Sequence, residues 1–225
     1  MIEKNTKSVI ERIEKAKALS EYKEEVMLAA VTKNREIESM ESLLNCGVSV
    51  FAENRVQELL KKHEHFEDRV EWHMIGTLQK NKVKQIIDKV SLIQSVDSIS
   101  LLKHIDECSD KVGRQTNILL QINTAKEPQK HGFFEEDIEE VLSYASELKN
   151  IKVLGLMMIA PDCDNVDILR GIFVKTRKIF EILMEKTSKY VNIDFRMLSM
   201  GMTNDFELAV ECGANLVRIG RALFE

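Results

Sequence analysis

A lysine amine attacks a carbonyl only as the neutral base, and an unperturbed lysine keeps its proton up to about pH 10.4. Lys33 closes the apolar run VMLAAVTK, residues 26–33. Taken alone, it reads as a strand-end lysine pointing into water. Burial or a neighbouring cation would lower its pKa and make it a Schiff-base nucleophile, and Arg218 in NLVRIGR is the candidate cation. Two glycine-containing turns add a second chemistry. In MGMTND, residues 200–205, Thr203 or Asn204 is expected to cap the next helix. The same turn could cradle a phosphate: Gly201 permits close approach, Thr203 offers a hydroxyl and an amide, and a helix start favours an anion. RIGRALFE, residues 218–225, supplies a further turn. Together they point to a phosphate-bearing ligand.

Other residue types suggest less. Cys46, Cys108, Cys163 and Cys212 are far apart and form no CxxC pair, so free thiols in a reducing cytosol are expected, without metal or disulfide. No cluster of His, Cys, Asp and Glu has metal-ligand spacing. His73 reads either as a ring-stacking residue or as a satisfied buried histidine, Trp72 as core or rim. Glu53 is expected to pair with Arg55 or another base, Lys80, Lys82 and Lys84 to form a solvated helix face, and the methionines to fill core.

These residues need elements to bring them together. Eight short apolar runs alternate with amphipathic stretches: VMLAAVTK, VSVFAEN, EWHMIG, SLIQSVD, NILLQIN, IKVLGLMMIA, FRMLSMG and NLVRIGR. A helix over about 2–18 precedes the first run, and each run but the last is followed by a helix. Gly47 and Gly213 are placed to stop two of these helices. Buried strands alternating with helices imply a parallel sheet covered by helices. Eight units suggest a closed (β/α)8 barrel, and no GxGxxG follows the first strand to favour an open sheet. Lys33, Glu53 and Asn54, Asp97 and Ser98, Asn123, Ser199 to Thr203, and Arg218 to Arg221 all fall at strand C-terminal ends. In such a barrel those ends converge on one face, where active sites are built.

Composition bounds the rest. The 225 residues suit one domain over 1–225, and no linker divides them. A net charge of −5 with interleaved signs gives no footprint for nucleic acid or an anionic membrane. The N-terminus is not a signal peptide, and no run is long enough to span a bilayer. A cytoplasmic protein is expected.

The segments AVTKN (30–34), FAENRVQE (51–58), EWHMIGTLQKNK (71–82), VDS (96–98), QINTAKEPQKHGF (121–133), GLMMIA (155–160) and LSMGMTNDFELAVECGANLVRIGRALF (198–224) occur in order. Over nearly the whole chain they resemble the pyridoxal phosphate homeostasis family, itself similar to the barrel domain of alanine racemase. The resemblance implies an alanine-racemase-type barrel with an extra N-terminal helix and pyridoxal 5'-phosphate (PLP) held as an aldimine on Lys33. It implies phosphate contacts from Thr203, the Met202 and Thr203 amides, and the Gly220 and Arg221 amides. Arg218 matches the arginine facing the pyridine nitrogen, Asn54 a residue near the ring, and Lys130 a lysine of transient cofactor exchange. Ala52 stands where glycine is usual, Thr32 and Thr203 where serine is commoner, and Arg221 where threonine is frequent. An arginine at 221 keeps a backbone contact, loses a hydroxyl and could add charge to the phosphate site.

The family implies a carrier that supplies PLP to apo-enzymes and affects vitamin B6 balance. A guanidinium beside the pyridine nitrogen disfavours its protonation and weakens the ring as an electron sink. The chain ends at Glu225 just after the eighth strand, so the second β-domain that gives racemases an opposing tyrosine across a dimer is not expected. Tyr22, Tyr144 and Tyr190 all lie away from strand C-terminal ends. A monomer without racemase turnover is expected. A racemase-like PLP enzyme, a cofactor-free aldolase using Lys33, and a purely regulatory partner-binding protein are the alternatives.

Overall fold

The computed structural model describes residues 1–127, 131–187 and 190–225. Eight parallel strands close on themselves in sequence order. They are β1 (Met27–Val31), β2 (Val50–Glu53), β3 (Glu71–Met74), β4 (Leu92–Val96), β5 (Thr116–Ile122), β6 (Ile151–Met158), β7 (Ile193–Ser199) and β8 (Leu216–Ile219). Helices α1 (Ile2–Leu19), α2 (Ile37–Asn45), α3 (Val56–Phe66), α4 (Lys80–Ile86), α5 (Ile99–Lys111), α6 (Ile138–Ser146), α7 (Val166–Thr187), α8 (Phe206–Glu211) and α9 (Arg221–Phe224) surround them. The barrel expected from the alternating pattern, with its additional first helix, is the observed fold. The short α9 after β8 was not anticipated, because four residues carry too little periodicity to read as a helix.

Strand pleating sorts the side chains into two shells. Ala29, Val31, Val50, Ala52, Leu92, Leu119, Leu154, Met157 and Leu216 pack inside the barrel. Their neighbours, such as Ala30, Phe51, Trp72, Ile93, Leu198 and Val217, pack outward against the helices. Trp72 is fully buried there, edge-on to Phe51 and Phe66. The last strand pairs with the first, setting Arg218 opposite Ala29.

Several boundaries differ from the sequence reading. β1 stops at Val31, so Lys33 belongs to the following turn, in which the Arg35 amide donates to the Thr32 carbonyl at 3.0 Å. Apolar content could not reveal this, because the turn forms in the polar residues. Asp205, not Thr203 or Asn204, occupies the N-cap position of α8. Ser98, expected at the end of the fourth strand, instead caps α5, its Oγ accepting from the Leu101 amide at 3.3 Å.

Candidate functional site

Positions of inward parity at the C-terminal ends of the strands make one mouth. Asn54 directly follows β2, and Lys33 lies two residues beyond β1, in the turn at the same end of the barrel. His73, Gln94, Ser199 and Arg218 lie inward on β3, β4, β7 and β8, between outward-packed neighbours. All four are buried.

Those four form a chain of hydrogen bonds across the barrel. Arg218 Nη1 donates to Ser199 Oγ at 2.6 Å and Nη2 to the Met158 carbonyl at 2.8 Å. Ser199 Oγ donates to Gln94 Oε1 at 2.6 Å, and Gln94 Nε2 lies 2.9 Å from His73 Nδ1. Chemistry sets the direction. A guanidinium only donates, so Ser199 accepts from it and passes its own proton to Gln94 Oε1. The Gln94 amide must then donate to His73 Nδ1, leaving the imidazole proton on Nε2. Burial holds His73 neutral, its pKa lowered to about 3. Burial also lowers Arg218, to about 10, with Asp205 drawing it back up. At neutral pH the barrel interior therefore contains a positive charge.

The two glycine turns meet beside that charge. The Arg218 amide donates to the Gly201 carbonyl at 3.0 Å, and Arg221 Nη2 to Asn204 Oδ1 at 3.3 Å. The Met202 amide donates to Asp205 Oδ1 at 2.6 Å, while desolvation raises the Asp205 carboxyl despite that bond. Thr203 is half-buried and Arg221 exposed. Gly220 is the N-cap of α9, whose first amides have no intrahelical acceptor.

Lys33 and Asn54 sit on the rim and are exposed. The cation expected to act on Lys33 has a different setting: Arg218 faces Ala29 from the adjacent strand and bonds to Ser199 and Met158. Asn54 is fixed by close approach, since a Cβ on Gly76 would collide with its carbonyl oxygen. Glu53 pairs not with Arg55 but with buried Lys62 on α3, at 2.6 Å. Strand pleat explains this, because Glu53 faces outward toward α3. Lys130 lies outside the described residues. Among the described residues no group of three His, Cys, Asp or Glu side chains could hold a metal, and no helix is long and apolar enough to cross a membrane.

Ser199 and the MGMTND turn that contains Asp205 were placed on this face by the sequence, but Gln94 and Lys62 were not, and neither was the N-cap position of Asp205. Two signals were available. Gln94 interrupts an apolar strand at an inward position, and Lys62 falls on the buried stripe of α3 with Val56, Leu59 and Phe66.

The chain is similar to known proteins over nearly all its length. Residues 4–225 match the family described as alanine racemase, N-terminal domain. The pyridoxal phosphate homeostasis protein of Aquifex aeolicus is 41% identical over 218 residues, covering 96% of this chain and 94% of that one. That of Helicobacter pylori strain 26695 is 38% identical over 221 residues, covering 97% and 96%. The structure of PipY from Synechococcus elongatus with PLP bound is 29% identical, with a TM-score of 0.87 and all of both chains covered. By fold and by sequence over nearly all its length, this chain belongs to the pyridoxal phosphate homeostasis proteins, on an alanine racemase N-terminal-domain barrel.

Proposed function

We propose that residues 1–225 act as one PLP-binding barrel domain that serves PLP homeostasis, with the cofactor's aldehyde attached to Lys33. The observation that carries this is the convergence of Lys33, Asn54, a buried Arg218 and two glycine turns on one mouth. The residues suit the cofactor. Arg218 uses two N–H groups on Ser199 and Met158 among the described residues, and a guanidinium has five, so donors remain for an electron-rich ring nitrogen. The turn at Gly201 is tight enough that a Cβ would stand 2.7 Å from that of Ala209 and 2.9 Å from Phe206 Cα, so glycine lets this turn pack directly on α8. Met202, Thr203, Gly220 and Arg221 would hold the cofactor's phosphate, and PipY, solved with PLP bound, supports PLP as the ligand. When bound, PLP supplies an electrophilic aldehyde and an electron-withdrawing ring.

The protein's own groups favour holding over turnover. Arg218 stays charged and donates, so it disfavours a proton on the ring nitrogen. Tyr22 precedes β1, Tyr190 precedes β7 and Tyr144 lies within α6, so none stands at the mouth as an opposing base. We assign the protein to the cytoplasm as a monomer that delivers PLP to apo-enzymes through transient contacts, without racemase activity. Adding PLP to purified protein and to Lys33→Ala should give the visible band of lysine-attached cofactor in the first only. A band of equal strength in the variant would reject Lys33 as the attachment site. No band in either would favour the cofactor-free barrel enzyme.

A further inference from the structure

The turn that carries Lys33 is gripped from behind by one face of α3. Lys62 Nζ donates to the Thr32 carbonyl, just before Lys33, at 2.6 Å. Glu58 Oε2 accepts from the Asn34 amide, just after Lys33, at 2.9 Å. Glu58 and Lys62 are one helical turn apart and lie 3.6 Å from each other. Lys62 Nζ also reaches Glu53 Oε1 at 2.6 Å, and Thr32 Oγ1 donates to that same oxygen at 2.6 Å. Glu53 is fully buried, its second oxygen has no partner among the described residues, and burial raises its pKa against the bonds of Lys62 and Thr32. Asn34 holds a left-handed φ of 57°, a conformation that costs energy in a residue other than glycine.

A buried lysine–glutamate pair is an expensive way to fill a space that apolar side chains would fill more stably. Its bonds end on the residues flanking Lys33 and on Glu53, which precedes Asn54. We infer that Glu58, Lys62 and Glu53 are positioning residues: they fix the Lys33 turn and the Asn54 strand end relative to each other, so that the amine meets the cofactor's aldehyde without first ordering its own backbone. This inference rests on the reading of Lys33 as the attachment site.

Glu58 is partly exposed, so Glu58→Ala should fold. Glu58→Gln keeps an acceptor for the Asn34 amide. Because Lys62→Met alone would strand a buried carboxylate, the paired variant Glu53→Gln/Lys62→Met is used instead. PLP is titrated into each protein by absorbance, and amide exchange at Asn34 is followed in the cofactor-free forms. Loss of a hydrogen bond to a charged group should weaken PLP binding by roughly tenfold in Glu58→Ala and speed Asn34 exchange, with Glu58→Gln within about threefold of wild type. The paired variant should also bind more weakly. Wild-type affinity in Glu58→Ala would overturn the clamp, as would equal weakening in Glu58→Ala and Glu58→Gln, because a device built on that acceptor must be rescued by the amide. No attachment in wild type would instead overturn the function reading, and the clamp's role with it.

Discussion

His73 shows how one residue's surroundings set the pH response of the protein. Its imidazole is buried and accepts the Gln94 amide on Nδ1. Its folded pKa of about 3 lies well below the ordinary histidine value of 6.5. A basic group with a depressed folded pKa favours the native state above its unfolded pKa and loses that contribution as pH falls toward the folded one. Stability should therefore fall from pH 7 to pH 5 by about 2 kcal/mol on this account alone. Urea unfolding at the two pH values tests it: His73→Asn should flatten the dependence, and an unchanged slope would show that other groups cause it. The same burial explains why the sequence left His73 open. WHM looks alike whether its histidine stacks on a ring or closes a hydrogen-bond chain, and only the inward neighbours on β4, β7 and β8 decide.

The elements were legible where their signal is periodic. Apolar runs of strand length, separated by amphipathic stretches, announced the eight strands and the helices that follow all but the last. Parallel order and closure then drew Lys33, Asn54 and Arg218 toward one face. What stayed hidden depends on which way a polar residue faces across a pleat, or on a turn of a few residues. Glu53 ends a strand beside Arg55, the base first expected to pair with it, yet its outward parity sends it to Lys62. The α8 cap was misplaced because several polar residues in MGMTND could serve; Asp205 takes the N-cap position with its side chain turned back to the Met202 amide. Gly76 belongs to this scale too. The Ile75 amide donates to the Glu53 carbonyl at 3.0 Å and Ser95 Oγ to the Gly76 carbonyl at 2.7 Å, so the segment after β3 is pressed onto Asn54. Gly76→Ala should push the two apart, costing about 1–3 kcal/mol of stability by overpacking and weakening PLP binding. Chemical denaturation and absorbance titration measure the two effects, and wild-type values for both would refute the wedge.

Over the whole molecule, function and stability occupy opposite ends of the barrel, as is general for this architecture. Arg177 on α7 is buried beyond the N-terminal ends of the strands. It donates to Glu24 at 2.9 Å, Glu181 at 2.9 Å and the Gly213 carbonyl at 3.0 Å. Its guanidinium carbon also stands 3.9 Å from the centre of the Tyr22 ring. One side chain thus joins α7 to the segments entering β1 and β8. Arg177→Ala should lower stability by about 2–3 kcal/mol through loss of its bonds to the partly exposed Glu24 and Glu181 and to the Gly213 carbonyl, while the folded fraction binds PLP as wild type does. Thermal melts beside PLP titration separate the two, and a loss of affinity without a loss of stability would contradict this division. At the other end, α1 braces the glycine turns from behind. Arg12 grips Glu207 of α8 through two bonds, at 3.0 and 2.7 Å, and Asn5 Nδ2 donates to the Leu223 carbonyl of α9 at 3.3 Å.

The pairing of β8 with β1 also orders events in time. A ribosome makes Lys33 early, but Arg218 and Gly220 come almost two hundred residues later, and β1 keeps an open edge until β8 is laid against it. A growing chain therefore carries its amine long before it carries the charge and the turns that would hold a cofactor beside it. On the reading proposed above, a barrel that lacks β8 has neither Arg218 nor the turn at Gly220, and should leave added PLP unbound.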